Sequence, residues 1–202
     1  MDMTHVEKVN KDAEEIQEQC LKKFKTCFSN GTKIIDWFSI DQKDEVKRLI
    51  NESVKKSPGI YYFKIDMRNV SNDFLRSTNE KNFLEGLKAF WGERKDKSSP
   101  NYSKVNGRIV EEIIKNSKYS YFNSKVALYL GSHEEDIQAR ITAHIEEKST
   151  TYSMRLSDWK VTNVKYKIFW HEIDYRDETR FTHLPKIYED YLRKDLLPFV
   201  GK

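Results

Sequence analysis

Pro58-Gly59-Ile60-Tyr61-Tyr62-Phe63-Lys64-Ile65 is the stretch on which the fold turns. Its aromatic and β-branched side chains suit a pleated strand, and the Pro-Gly pair ahead of it marks the turn that feeds the strand. A second run, Lys125-Val126-Ala127-Leu128-Tyr129-Leu130, has the same character and stops at Gly131. A third, from Val164 to Ile173, sets Tyr166, Ile168 and Trp170 alternately against Lys165, Lys167 and Phe169, the period-two pattern of a strand with one buried face. Between and beyond these runs the apolar period becomes helical. Phe74, Leu75, Phe83, Leu87 and Phe90 carry a helix over about 72–94, and Ile109, Val110, Ile113 and Ile114 carry another over about 107–118. Ile137, Ile141 and Ile145 share one face of a further helix, and a last helix spans about 184–196 before Pro198. Strands mixed with helices in this order give an α+β chain.

Ahead of the deciding strand, residues 1–57 read as a helical appendage. Val6, Val9, Ala13, Ile16, Cys20, Phe24 and Cys27 recur at three and four, an amphipathic helix that Ser29-Asn30-Gly31 should end. A short β-like piece, Lys33 to Ile40, follows, and Asp41 is placed to cap a second helix reaching about Lys56. Cys20 and Cys27, the only two cysteines, fall on one helix face and read as buried thiols of a reducing compartment.

Composition narrows the classes. With 38% hydrophobic and 34% charged residues, the chain is too apolar for disorder and too polar for a membrane protein. No run approaches the ~18 apolar residues of a spanning helix, and Met1-Asp2-Met3-Thr4-His5 has no secretory pattern, so the expected setting is cytoplasmic, with no membrane partner. The net charge of +4 is unevenly spread: the whole excess lies between residues 58 and 123. There, Arg94, Lys95 and Lys97 sit in a polar loop beside Phe90, Trp91 and Tyr102, a combination that suits phosphates and an unstacked base. No Walker loop, CxxC, GxSxG or HExxH occurs, and His171-Glu172 with Asp174, Asp177, Glu178 and His183 lacks the spacing of a metal motif.

Gly59-Ile60-Tyr61 opens one strand and Tyr129-Leu130-Gly131 closes the next. Arg140 and His144 follow one helical turn apart, and Glu189 lies in the apolar helix that precedes Pro198. In this order the residues resemble the GIY-YIG nuclease superfamily, over about 58–66 and 124–202. The segment Thr151-Tyr152-Ser153-Met154-Arg155-Leu156 is similar to one that follows this helix in some branches. The pattern departs from the family in four places, one of them a spacing from Gly131 to Arg140 that is one residue longer than usual. Residues 67–123 stand where a short turn usually joins the two strands, Ser132 replaces a frequent basic residue after the YIG glycine, and the Asn that usually follows the late proline is absent.

The resemblance implies a small antiparallel sheet flanked by helices, formed by 58–202 with a helical insertion at about 67–123. It also implies Mg²⁺-dependent (or Mn²⁺-dependent) hydrolysis of nucleic-acid phosphodiesters, DNA before RNA. Tyr61 would be the base, with His144 relaying its proton, and Tyr129 would position water or a phosphate oxygen. Arg140 would grip the phosphate through a planar fork that Lys lacks, and Glu189 would supply one hard oxygen to the metal. Arg155 joins Arg94, Lys95 and Lys97 as a nucleic-acid contact. A different class of function stands beside this one: a catalytically inactive nucleic-acid- or protein-binding module on the same fold. Oligomeric state and sequence specificity are not encoded in any of these signals.

Overall fold

The computed structural model describes residues 5–66, 104–105, 127–146, 153–154, 156–158, 164–173, 184–196, 198 and 200–201. The expected helices over 72–94 and 107–118, and the candidates Arg94, Lys95, Lys97 and Arg155, lie outside these residues. The chain divides into two compact units, Met1–Thr32 and Lys33–Lys202.

The first unit is one helix, α1 (His5–Gly31), which runs through the Ser-Asn-Gly stop to its glycine. Phe24 and Phe28, four apart and so on one face, bring their ring centroids to 5.1 Å.

The second unit is α+β. Its strands are β1 (Lys33–Phe38), β2 (Gly59–Asp66), β3 (Lys104–Val105), β4 (Tyr129–His133), β5 (Lys165–Glu172) and β6 (Val200–Gly201). They lie in the order β1-β5-β2-β4-β6-β3. The first four form a small antiparallel sheet, β6 adds to β4 in parallel through Tyr129 and Val200, and β3 closes the far edge against β6. The deciding strand β2 is therefore central. The helices are α2 (Lys43–Ser53), α3 (Ile137–Ile145) and α4 (Leu184–Leu196). Among the described residues no helix is long and apolar enough to cross a membrane.

Alternation along the strands sets the layers. Tyr61, Phe63 and Ile65 of β2, Tyr166, Ile168 and Trp170 of β5, and Ile35 and Phe38 of β1 share one face. They pack with Val46 and Ile50 of α2 and with Ile137, Ile141 and Ile145 of α3. Ile60, Tyr62 and Leu130 point the other way and are also buried, as are Leu184, Tyr188 and Leu192 of α4, which packs on β4 and β2.

The structure moves one boundary. Residues 33–57 are not an appendage: β1 pairs with β5, and the apolar residues of β1 and α2 enter the same core as β2. The physical reason is that Ile35 and Phe38 supply a buried stripe for the open edge of β5. The turn into α2 differs as well, because the Gln42 side chain accepts from the Ser39 backbone N–H at 3.0 Å across a short 3₁₀ turn, Ile40–Gln42, where Asp41 was the expected cap. Ala127 and Leu128 precede the second core strand, Tyr129–His133, which continues through the polar Ser132 and His133 because their backbone pairs with Ile60 and Gly59.

Phe63 is paired with Tyr129, and the Leu128 N–H donates to the Phe63 carbonyl at 2.6 Å, so β2 and β4 form the two arms of one hairpin despite the long sequence between them.

Candidate active site

Two glycines allow the site's strands to be where they are. At Gly59 a Cβ would run into the His171 carbonyl of β5 and reach the Ile137 side chain at 2.9 Å, so only glycine admits both the strand and α3. Gly131 lies directly opposite Tyr61 in the β2–β4 register. A Cβ there would stand 2.6 Å from the Tyr61 hydroxyl and 2.8 Å from the Tyr129 ring, so the missing side chain is the space the two phenols occupy.

Helix α3 is fixed before it delivers its polar residues. The Asp136 carboxylate caps the Ala139 N–H at 2.9 Å, and the Ile137 N–H donates to the Ser57 carbonyl at 3.0 Å. The Gln138 amide donates to the carbonyls of Asn51 and Val54, at 3.2 and 2.7 Å, tying α3 to the end of α2. With Ile137, Ile141 and Ile145 buried, the face one turn away carries Arg140 and His144 toward β2 and β4.

His144 is fully buried and its ring is held from both sides. The Met154 backbone N–H donates to Nδ1 at 2.9 Å. Burial, followed by the nearby Arg140 charge, pushes the imidazole well below its usual range, so the ring is neutral. A neutral ring whose Nδ1 accepts must carry its proton on Nε2, and Nε2 lies 2.9 Å from the Tyr61 hydroxyl. His144 therefore donates to Tyr61. The relay expected from the sequence, in which His144 takes the Tyr61 proton, needs the opposite direction and is closed in this arrangement. The Met154 amide, invisible in a residue pattern, is the cause.

Tyr61 and Tyr129 share a hydrogen bond and lie nearly parallel, 6.2 Å between ring centroids. Burial raises both phenols. Tyr61 is raised well above the usual range; for both phenols the Arg140 charge is the leading opposing influence and Glu189 adds to the rise, with a further increment on Tyr61 from Tyr129. The chain of donors thus runs from the Met154 N–H to His144 and from the His144 Nε2–H to the Tyr61 oxygen.

Glu189 reaches the same place from α4. Its carboxylate is buried, 8% exposed for the whole residue, and every near partner is a donor. Ser132 Oγ donates to Oε2 at 2.6 Å, while Lys186 Nζ and an Arg193 guanidinium nitrogen donate to Oε1 at 2.9 and 2.6 Å. Its charge is felt by both tyrosines. Of the five residues that the sequence pattern selected, Tyr61, Tyr129 and His144 are in direct contact, and Arg140 and Glu189 act on both tyrosines through their charge.

Three members of this cluster were missed. Ser132, noted only as a departure from a family pattern, is the hydroxyl partner of Glu189. Lys186 and Arg193 stand three before and four after Glu189, spacings that place them on its helix face and that the sequence already carried. Glu172, weighed and set aside as a metal ligand, instead staples the other end of the sheet: it accepts from Lys33 Nζ, the Lys55 N–H and the Trp170 indole.

Among the described residues, Glu189 is the acidic residue whose charge acts on both tyrosines. A single carboxylate fits a hard cation that retains most of its waters, as Mg²⁺ does, and does not make a closed protein cage. Among the described residues no group of three His, Cys, Asp or Glu side chains converges. Comparison with protein-family models, with curated proteins and with solved structures gave no match to this chain.

Proposed function

We propose that this chain is a GIY-YIG-type endonuclease that hydrolyses nucleic-acid phosphodiesters, DNA in preference to RNA, in a cytoplasmic setting. The observation that supports the reading is that His144 bonds Tyr61 while the charges of Arg140 and Glu189 act on both Tyr61 and Tyr129, residues drawn from β2, β4, α3 and α4. The insertion residues Arg94, Lys95 and Lys97, together with Arg155, are assigned to nucleic-acid contact.

The donor chain suggests a division of labour between the phenols. Tyr61 is pinned as an acceptor from His144. Tyr129 is the more exposed of the two phenols, and we assign it the base's role, reversing the roles that the family likeness implied. Tyr129, once its own proton has passed to solvent, takes a proton from the water whose oxygen bonds to phosphorus. The ester P–O bond breaks, and the leaving oxygen is protonated from solvent. Arg140 pairs with the non-bridging oxygens as charge grows on them. Glu189 is the residue to hold Mg²⁺ or Mn²⁺, which when bound would offset phosphate charge and polarise the attacking water.

One observation favours a second reading. Glu189 already satisfies two cations, as it would in an inactive module that uses the cluster only to hold an anion. Incubating purified protein with plasmid in Mg²⁺ or Mn²⁺ separates the two. The enzyme nicks or cuts, Arg140→Ala loses ~3 kcal/mol or more of transition-state stabilisation, and Glu189→Gln abolishes metal-dependent cutting with the fold retained. Wild-type protein that binds but leaves the plasmid intact in both metals supports the module.

A further inference from the structure

We propose that Lys186 and Arg193 are a phosphate-binding pair held in reserve on Glu189, which leaves Oε1 for the substrate's phosphodiester when a divalent cation takes that oxygen. The inference rests on the nuclease reading and adds two residues and a coupling to it.

The geometry begins with the crowding at one atom. Oε1 of Glu189 receives both Lys186 Nζ and the Arg193 guanidinium, while Oε2 receives only a neutral hydroxyl, from Ser132. The Glu189 side chain is 10% exposed, against 48% for Lys186 and 22% for Arg193. The carboxylate is fixed, and its two partners reach it on long stems from the solvent side, so they are the groups free to swing. Lys186 has a second anchor in Asp190 at 2.8 Å, from which it need not travel far.

Charge then forces the exchange. A hard cation at Oε1 would stand beside an ammonium and a guanidinium at hydrogen-bond range, in a poorly solvated site where like charges repel strongly. Occupancy by the metal and occupancy by Lys186 and Arg193 are mutually exclusive at that oxygen. Once displaced, Arg193 has lost its Glu189 partner while Lys186 keeps Asp190 at 2.8 Å; Arg193 already acts electrostatically on Tyr129. A phosphodiester supplies the missing charge, and a planar guanidinium matches two of its oxygens. Divalent cation and phosphodiester should consequently favour each other's binding, each by the same factor.

The test measures binding without turnover. Affinity for a short DNA duplex is read by fluorescence anisotropy in Ca²⁺ and in EDTA, and affinity for Mn²⁺ alone is read by electron paramagnetic resonance, for wild type, Arg193→Gln, Arg193→Lys and Lys186→Met, each checked for fold by circular dichroism. In wild type Ca²⁺ should tighten duplex binding roughly tenfold. In Arg193→Gln and Lys186→Met that gain should shrink toward nothing while Mn²⁺ alone binds several-fold tighter, its competitor having gone. Arg193→Lys, which keeps the charge and loses the fork, should restore wild-type Mn²⁺ affinity and not the duplex gain. Full Ca²⁺ gain in Arg193→Gln and Lys186→Met, unchanged Mn²⁺ affinity in them, or no Ca²⁺ gain in wild type would each overturn the inference. Failure of the nuclease reading looks different: coupling is present in wild type, and the duplex stays uncut in Mg²⁺ and Mn²⁺.

Discussion

Gly131→Ala is the sharpest probe of how the site is packed. The added carbon would sit 2.6 Å from the Tyr61 hydroxyl, about 0.7 Å inside the ~3.3 Å at which carbon and oxygen rest. It would also sit 2.8 Å from carbons of both phenol rings, again ~0.7 Å inside normal contact. Neither ring has an easy retreat. Tyr61 is 1% exposed, faces the edge of Phe63 at 88°, and is tied to His144, whose own ring is fixed by Met154. Overpacking of this kind costs ~1–3 kcal/mol, so the urea midpoint should fall with an unchanged slope. In an active enzyme a shift of the phenols by ~1 Å should also cut the cleavage rate by ~10²-fold. A double-mutant cycle with Tyr61→Phe isolates the contact. Alone, Tyr61→Phe leaves the His144 Nε2–H without its acceptor and costs ~1–3 kcal/mol, but in the alanine background it also removes the oxygen being struck, so a coupling of ~0.5–1.5 kcal/mol should appear. An alanine variant within ~0.5 kcal/mol of wild type, or a cycle without coupling, would show that Gly131 is not the space the phenols need.

Acid should weaken the fold through His144. Its folded value is depressed and its unfolded value is near ~6.5, so its contribution is complete above ~6.5 and is lost as pH falls below that, by at most ~1.4 kcal/mol per pH unit. His144→Gln, whose amide keeps one donor and one acceptor, should flatten that slope in urea titrations between about pH 6.5 and 5; an identical slope would mean another group carries it. In cleavage assays Tyr129→Phe should lose ~10²-fold or more and Tyr61→Phe distinctly less, and the reverse order would return the base's role to Tyr61. Replacing Arg94, Lys95 and Lys97 with Ala should flatten the dependence of duplex affinity on salt by up to ~0.9 per lost phosphate contact, and an unchanged slope would remove these residues from the interface.

Local periodicity made most of the sheet and helices legible. Tyr166, Ile168 and Trp170 announced β5, and Ile137, Ile141 and Ile145 announced α3, because each pattern reports one buried face of its own element. What could not be read was pairing. That β1 would take the free edge of β5 depends on a register between residues far apart, Ile35 with Ile168, which no window of sequence contains. The polar end of β4 was missed for the same reason, since Ser132 and His133 are strand residues only by virtue of Ile60 and Gly59. In the candidate site, the five key side chains were legible as a pattern of types and spacings. The direction of the His144 proton was not, because it is set by a backbone N–H, and the Ser132 hydroxyl met Glu189 only once β4 and α4 were side by side.

The hairpin that joins β2 to β4 makes the long middle segment exchangeable in principle. Its two ends are already held a strand's width apart by the Phe63–Tyr129 pair, so the sheet does not depend on what lies between them for its register. Replacing residues 67–126 by a tight turn would change the loop-closure entropy by only ~2 kcal/mol, and in the stabilising direction, at the loss of the two-residue β3 at the far edge. Evolution could therefore have swapped this segment while Tyr61, Tyr129, Arg140 and Glu189 stayed in place. In such a chain the choice of target and the chemistry performed on it would be inherited separately, and grafting a different segment onto the same hairpin would be a route to new targets.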